Sequence, residues 1–409
     1  MALQSYRDQL HRCFRCGYCK LPSDYAGFNC PSYNRFRRET YSPGGRLWLI
    51  RAVAEKQIAP SRHYADILYA CTMCGNCRAH CCLEFRDEIP DMMRAARAEL
   101  VDASILPGNV QAYLENIYSF SNPWKKFPRK RDDWAKGSGI RRYEHTDKYL
   151  YYVGDTGSFH PRAMKVSRAI GELLLAAGIS LGILGPGEMS AGNEAMDMGE
   201  TALFEYLRDK NIALFQQHQV QYLITYSPHA FHVMKHLYQG MSDAVSVFHY
   251  LELMDTCLAQ SRFHLSDGAP MKVAYHDPCF LGRWNGMYEL PRRVLSRIPG
   301  VELVEMEGNR EDALCCGGGN GNFYTDMLGG DKNSPSRVRV RQALSCGVEV
   351  IAVACPVCLV MLADAVESEA AAGQIQVKDI AEIIHGAAQP ESPDQKNPDR
   401  KNREVRGAI

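Results

Sequence analysis

Cys71-Thr72-Met73-Cys74-Gly75-Asn76-Cys77-Arg78-Ala79-His80-Cys81 sets three thiols at every third position and a fourth four residues on. Such a run gathers soft, anionic sulfurs around one small volume, which a protein tolerates when multivalent metal neutralises them. The spacing is the ferredoxin pattern C-x2-C-x2-C-x3-C, in which three cysteines hold one cubane cluster and the fourth crosses to a second. A partner run lies upstream, Cys13-x2-Cys16-x2-Cys19 followed by Cys30-Pro31. By the crossing rule, Cys13, Cys16, Cys19 and Cys81 would ligate one [4Fe-4S] cubane, and Cys71, Cys74, Cys77 and Cys30 the other. The gap from Cys19 to Cys30 holds ten residues instead of three, a loop that delays arrival of the fourth ligand. Cys82 stands where this run normally has proline, and spacing favours Cys81 over Cys82 as the ligand.

Zinc uses Cys-x2-Cys pairs too, but a third cysteine three residues further on, in both runs, suits a cluster corner better than a zinc ribbon. Disulfides imply an oxidising compartment, and the start Met1-Ala2-Leu3-Gln4-Ser5-Tyr6-Arg7-Asp8 has no apolar core of a secretory signal. Lys plus Arg and Asp plus Glu each number 47, so nothing argues for nucleic acid or an anionic membrane surface. The most apolar stretch, Val350 to Ala363, contains a proline and two cysteines and is too short to span a bilayer. The expected setting is the cytoplasm, with attachment at a membrane through a partner protein left open.

Residues 1–105 carry both runs between segments of helical period, such as Ser61 to Leu68 and Pro90 to Leu100, and are expected to form an α-helical ferredoxin domain. Residues 106–145 turn polar and irregular and read as a linker, with the basic run Arg129-Lys130-Arg131 as a solvated loop. From Tyr151 onward strands and helices alternate. Strands are expected at Tyr152-Val153, Ile179 to Leu184, Tyr222 to Thr225, Val273 to Tyr275, Val301 to Met306 and Val348 to Val353. Helices are expected across the Val166 to Ala177 face, Glu200 to Phe215, Leu290 to Ile298 and Arg337 to Leu344. The fold class is therefore α+β and multidomain, with two α/β parallel-sheet units over 146–262 and 263–388, and a flexible tail at 389–409.

The two α/β units are an internal repeat. Asp155 aligns with Cys279, Met189-Ser190-Ala191-Gly192 with Leu314-Cys315-Cys316-Gly317, and Ser227-Pro228-His229-Ala230 with Cys355-Pro356-Val357-Cys358. Each motif cysteine of the second copy thus has a non-cysteine counterpart in the first. Gly317-Gly318-Gly319 would let backbone approach a bulky cluster without Cβ collisions. These glycines follow a Cys-Cys pair and do not open a strand-to-helix turn of G-x-G-x-x-G form, which argues against a dinucleotide loop.

With these motifs in view, the chain resembles the iron-sulfur oxidoreductases related to the D-type subunit of heterodisulfide reductase, in which a two-cubane ferredoxin domain is fused to a pair of cysteine-rich "CCG" domains. The resemblance runs from about Arg7 to Gly386. It implies that Cys279, Cys315, Cys316, Cys355 and Cys358 hold one noncubane [4Fe-4S] cluster. It also implies that the first CCG copy, with Asp155, Ser190, Ala191, Ser227 and Ala230, binds none and survives as a scaffold with a pocket open to a partner or substrate. Among the histidines near these segments, His229, His232 and His276, one could reach the noncubane cluster, although packing beside a loop is the plainer role. Cys257 and Cys346 have no motif partner and read as small buried residues.

The expected function is that of an electron-transfer subunit in an anaerobic multi-subunit oxidoreductase complex. Partners implied by the resemblance are a flavoprotein, another iron-sulfur subunit, or a membrane cytochrome or quinone-linked subunit. The alternative is a disulfide or trisulfide reductase acting on a thiol carrier at the single noncubane cluster; no catalytic side chain is assigned.

Overall fold

A computed structural model describes residues 3–241 and 244–388. The expected tail at 389–409 lies outside the described residues.

The segment carrying the two ferredoxin runs is helical. Its principal helices are Pro31–Phe36, Pro43–Ala54, Arg62–Tyr69 and Ile89–Asp102. Ser42 and Ser61 cap the second and third by accepting bonds from Gly45 N at 3.0 Å and Tyr64 N at 3.2 Å. Apolar residues at helical spacing, among them Leu47, Ile50, Leu68, Met92, Met93, Ala96 and Leu100, are buried together.

Two four-stranded parallel sheets follow, as the repeat requires. The first has order β2-β1-β3-β4, with β1 Tyr149–Tyr152, β2 Leu181–Gly182, β3 Tyr222–Thr225 and β4 Ser246–His249. The second has order β6-β5-β7-β8, with β5 Met271–Tyr275, β6 Val301–Val304, β7 Val350–Val353 and β8 Gln376–Asp379. Leu150 pairs with Leu223 in one sheet and Val273 with Val350 in the other. In both, crossovers leave the first strand in opposite directions, so the topological switch point falls between β1 and β3 and between β5 and β7. The central strands β1, β3 and β7, and β5 from Val273 to Tyr275, are almost wholly buried, as parallel strands covered on both faces must be.

Three local expectations change. The strand foreseen from Ile179 to Leu184 pairs only at Leu181–Gly182, with Ile183 adding a single bridge to Arg142. Residues 106–145 contain the helix Gly108–Phe120, whose Val110, Tyr113, Leu114 and Ile117 are buried. Arg131, read as part of a solvated basic loop, is 2% exposed and reaches into the first α/β unit.

The three segments pack directly on one another. Arg97, wholly buried on helix Ile89–Asp102, donates to Cys71 O at 2.8 Å in the ferredoxin segment and to Leu68 O. The same guanidinium donates to Asp197 O at 2.6 Å in the first sheet unit and to Asn320 Oδ1 at 3.0 Å in the second. Asp312, just ahead of Cys315, accepts from Ser23 N at 2.8 Å and lies 2.7 Å from His80 Nε2. Arg162 and Glu382 join the two sheet units through an ion pair at 2.6 Å.

Candidate metal centres

Both ferredoxin runs have the sequence Cys-x-x-Cys-Gly-x-Cys, and the backbone follows the same path in each. Arg15 and Met73 have φ of 57° and 54°, and Gly17 and Gly75 have φ of 93° and 73°. Left-handed backbone on either side of the second cysteine curls the run so that its three thiols can face one side, and only the glycine takes that conformation without strain.

Cys13, Cys19 and Cys81 are 7%, 8% and 7% exposed, whereas Cys16 and Cys82 are exposed with sulfurs 4.0 Å apart. Cys81 feels the nearby Cys82, Cys16 and Cys13, so the first run and the end of the second meet. On the other side, Cys30, Cys71, Cys74 and Cys77 line one cavity of about 30 Å³ together with Thr72 and Arg46. Cys30 arrives as the N-cap of helix Pro31–Phe36, with proline at the first helical position, so the long loop before it ends at a fixed point. Arg46 lies beneath it, 1% exposed, donating to Ser32 Oγ, Tyr41 O and Ile67 O at 2.8 Å each. Burial pushes the thiols of Cys13, Cys19, Cys30, Cys77 and Cys81 up. A buried thiol of that kind ionises when a cation binds it.

The late cysteines gather at the carboxyl ends of β5 and β7, at the switch point of the second sheet. Cys279 follows β5, and Cys355 follows β7 as the N-cap of helix Pro356–Ser368, with Cys358 in that helix's first turn. Cys315 Sγ lies 3.9 Å from Cys279 Sγ, and Cys358 Sγ lies 3.5 Å from Cys316 Sγ. None of the five is more than 7% exposed. Bonds from Cys315 and Cys358 pull the Cys316 thiol down to about 5. Cys355 is held well below the usual thiol range, its burial outweighed by bonds from Cys358 and His229.

The glycines have a packing role beside the one expected. A Cβ on Gly318 would come within 2.5 Å of Val357 Cγ1 and 2.7 Å of Met361 Cγ, and one on Gly319 within 2.4 Å of Thr72 O. They are required where the Cys315-Cys316 loop is wedged between helix Pro356–Ser368 and the second ferredoxin run.

That wedge brings two sites together. Thr72 Oγ1 lies 3.9 Å from Cys315 Sγ, and a bond shared with Cys315, followed by burial, raises the Cys74 thiol well above its usual range. Arg283 stands at the junction: Nε donates to Cys74 O at 2.9 Å and Nη1 to Ala313 O at 2.8 Å, while its buried Nη2 has no partner among the described residues. The cation faces Cys74, Cys279 and Cys315. Five crowded buried thiols, an orphaned guanidinium nitrogen and close-packed glycines suit a compact anionic group of high sulfur content, which is what an iron-sulfur cluster is.

Of the three histidines, His276 is wholly buried, and burial and the Arg339 guanidinium push it down to about 3. Burial, then His236, lower His232 likewise to about 3, and its ring packs against Trp284 with centroids 5.0 Å apart. His229, from the first repeat, reaches across to Cys355, and that contact raises it in spite of burial. Cys257 is 1% exposed, as read; Cys346 is half-buried, its sulfur 3.8 Å from Glu305 O.

The corresponding position in the first sheet holds an ion cluster. Arg131 donates through Nη1 and Nη2 to Asp155 Oδ1 at 3.0 Å each, and through Nη1 to Glu188 Oε1 at 3.2 Å. Glu188 also accepts from Val153 N at 3.1 Å and Gly154 N at 3.0 Å. Ser121 Oγ accepts from Ser190 N at 2.6 Å. The segment before β1 therefore fills much of the site. The space that remains, lined by Asp155, Ala191, Glu194, Ser227 and Ala230 among others, is about 30 Å³, enough for a water or two and not for a disulfide substrate. No sequence signal marked Arg131 for this role, since its neighbours are as basic and lie outside.

Comparison with known proteins agrees with this arrangement. A 4Fe-4S dicluster domain matches residues 9–84, and a cysteine-rich domain matches twice, at 151–235 and 273–363. Among curated relatives, a probable iron-sulfur-binding oxidoreductase, FadF, of Bacillus subtilis is 31% identical over 78% of this chain and 46% of its own length. The EtfAB:quinone oxidoreductase of Syntrophomonas wolfei is 28% identical over 92% of this chain and 58% of its own. The chain thus spans about half the length of these relatives. The D-type subunit of the dihydromethanophenazine:CoB--CoM heterodisulfide reductase of Methanosarcina barkeri is 25% identical over 92% of this chain and 93% of its own. Among the described residues no helix is long and apolar enough to cross a membrane. The chain thus carries one 4Fe-4S dicluster domain followed by two copies of the cysteine-rich domain, and over most of its length it is similar to the D-type subunit of heterodisulfide reductase.

Proposed function

We propose that the chain is the electron-transfer component of a multi-subunit oxidoreductase complex, passing electrons through two [4Fe-4S] cubanes and one noncubane [4Fe-4S] cluster. In this reading Cys13, Cys16, Cys19 and Cys81 hold the outer cubane, and Cys30, Cys71, Cys74 and Cys77 the inner one. Cys279, Cys315, Cys316, Cys355 and Cys358 hold the noncubane cluster. Cys81 is preferred to Cys82 because its thiol is buried and faces Cys13, whereas Cys82 is exposed.

The observation that carries the reading is the junction at Cys74, where a thiol of the inner cubane set is bonded to Cys315 of the noncubane set. Cys19 in turn lies within the field of Cys77 and Cys30, so the outer set adjoins the inner one. Cys16 opens on the surface between Phe14 and Tyr18, which are 63% and 42% exposed. The three sets adjoin one another in order from the exposed Cys16 inward, an order suited to a relay that takes electrons from a partner at that face. Filling of the first repeat by Arg131 supports a relay over two-cluster cleavage of a disulfide. The partner classes are those that the family resemblance implies, a flavoprotein, another iron-sulfur subunit, or a quinone-linked or membrane cytochrome subunit; a relative named EtfAB:quinone oxidoreductase and one named as a reductase subunit support redox partners in general.

Anaerobic iron and acid-labile sulfide analysis is the first test, with about twelve irons per chain expected from three four-iron clusters. Cys74→Ser should remove the inner cubane signal and block reduction of the noncubane cluster from the Cys16 face, while Cys316→Ser should remove only the noncubane signal. Turnover of disulfides by the isolated chain would overturn the relay reading.

A further inference from the structure

We propose that His276 is a fixed N–H donor to the sulfur edge formed by Cys316 and Cys358, tuning the reduction potential of the noncubane cluster instead of ligating it. The inference rests on the reading that the five late cysteines hold an iron-sulfur cluster.

His276 follows β5 directly and is wholly buried. One of its ring nitrogens and the sulfurs of Cys316 and Cys358 all lie within 4.8 Å of one another. The hydrogen bonds of the ring decide its role. Nδ1 accepts a hydrogen bond from Arg339 Nε at 3.3 Å, and Arg339 is itself wholly buried. Arg339 is held by bonds from Nη1 to Glu307 O at 3.0 Å, Gly308 O at 2.8 Å and Gln342 Oε1 at 2.9 Å. A guanidinium only donates, so Nδ1 must present its lone pair and the imidazole proton resides on Nε2. Nε2 has no hydrogen-bond partner among the described residues.

A protonated Nε2 has no lone pair to offer iron, and moving its proton to Nδ1 would set N–H against N–H at Arg339. What it can do is donate to a cluster sulfide or to a ligating thiolate. Such a bond is stronger to the reduced, more negative cluster, so it raises the reduction potential. Arg339 is then a positioning residue that fixes the tautomer, as partners behind the ligands of metal sites commonly do.

The test uses the full chain, prepared anaerobically, with redox titration of the noncubane signal by EPR. His276→Leu removes the donor, His276→Met repeats the removal at similar length should the first variant fail to fold, and His276→Gln restores an N–H while still accepting from Arg339. At the wild-type midpoint, the ratio of reduced to oxidised cluster should fall about tenfold in the Leu or Met variant, equivalent to about 59 mV for one electron, with full iron content. The Gln variant should recover most of the shift. In the wild type, 15N-histidine labelling should give a weak coupling that disappears in the Leu variant. An unchanged midpoint with full iron, or loss of the noncubane cluster alone in both the Leu and Gln variants, as for a ligand, overturns the inference. A wild type that holds only the two cubanes overturns the cluster reading itself.

Discussion

Replacing Arg131 by methionine tests what the ion cluster of the first repeat contributes. The change leaves the buried Glu188 and the largely buried Asp155 without their cation and removes the three bonds of 3.0 to 3.2 Å that Arg131 makes to them. Breaking a buried ion pair from one side costs about 3–5 kcal/mol, because the remaining charge has lost its compensation. Glu188 keeps its two backbone donors, which places the expected loss toward the lower end, about 3 kcal/mol. The dependence on pH has a definite sign. Burial raises both carboxyls above their usual range even with Arg131 present, and removing the cation raises them further. A folded state that binds protons more tightly than the unfolded one loses stability as pH rises through the raised values, so the deficit of Arg131→Met should be larger at pH 8 than at pH 6. Adding Asp155→Asn should recover about half, since the pair is then neutralised from both sides. Urea unfolding of the anaerobic protein, followed by circular dichroism and by retention of iron, measures all three proteins. A cost below about 1 kcal/mol, or a deficit that grows on acidification, would refute the view that Arg131 compensates these two carboxylates.

Arg283→Leu removes a cation facing Cys74, Cys279 and Cys315. At an effective dielectric constant of about 20 and about 8 Å, the interaction is about 2 kcal/mol, so the potentials of the inner cubane and the noncubane cluster should fall by roughly 90 mV in redox titration. Gly318→Ala forces a Cβ to within 2.5 Å of Val357 and should destabilise the chain by about 1–3 kcal/mol, with preferential loss of the noncubane signal. Burial raises Glu194 to about 7, so this residue makes the folded state less stable as pH rises from about 4.5 to 7. Glu194→Gln should flatten that part of the stability profile, and an unaltered slope in thermal unfolding between about pH 5 and 7 would contradict the assignment.

The cysteine spacings made the sites legible because cluster ligation fixes residue type and interval at once, and the runs need little else to be recognised. The central strands were legible for a related reason: β7 is a continuous apolar stretch, and β3 is a short run of β-formers whose Leu223, Ile224 and Thr225 are buried. Edge strands β4 and β8 escaped notice because Ser246–His249 and Gln376–Asp379 mix exposed polar positions with buried ones over only four residues each. The helix Gly108–Phe120 did carry a signal, since Val110, Tyr113, Leu114 and Ile117 recur at helical spacing, but a polar context on both sides masked it. Arg131 and Arg97 could not have been found from sequence. Whether an arginine is solvated or buried among carbonyls and carboxylates depends on which distant segments fold around it, and their own neighbourhoods give no indication.

Arg97 has a consequence for how charge enters and leaves. Its one guanidinium is shared by carbonyls on the ferredoxin side, by Asp197 of the first sheet unit and by Asn320 of the second. A protein that delivered electrons by swinging its ferredoxin portion between stations would have to uncover that cation and leave all its acceptors dry. In the proposed relay, exchange is therefore stationary, and a redox partner comes to the exposed patch around Phe14 and Cys16.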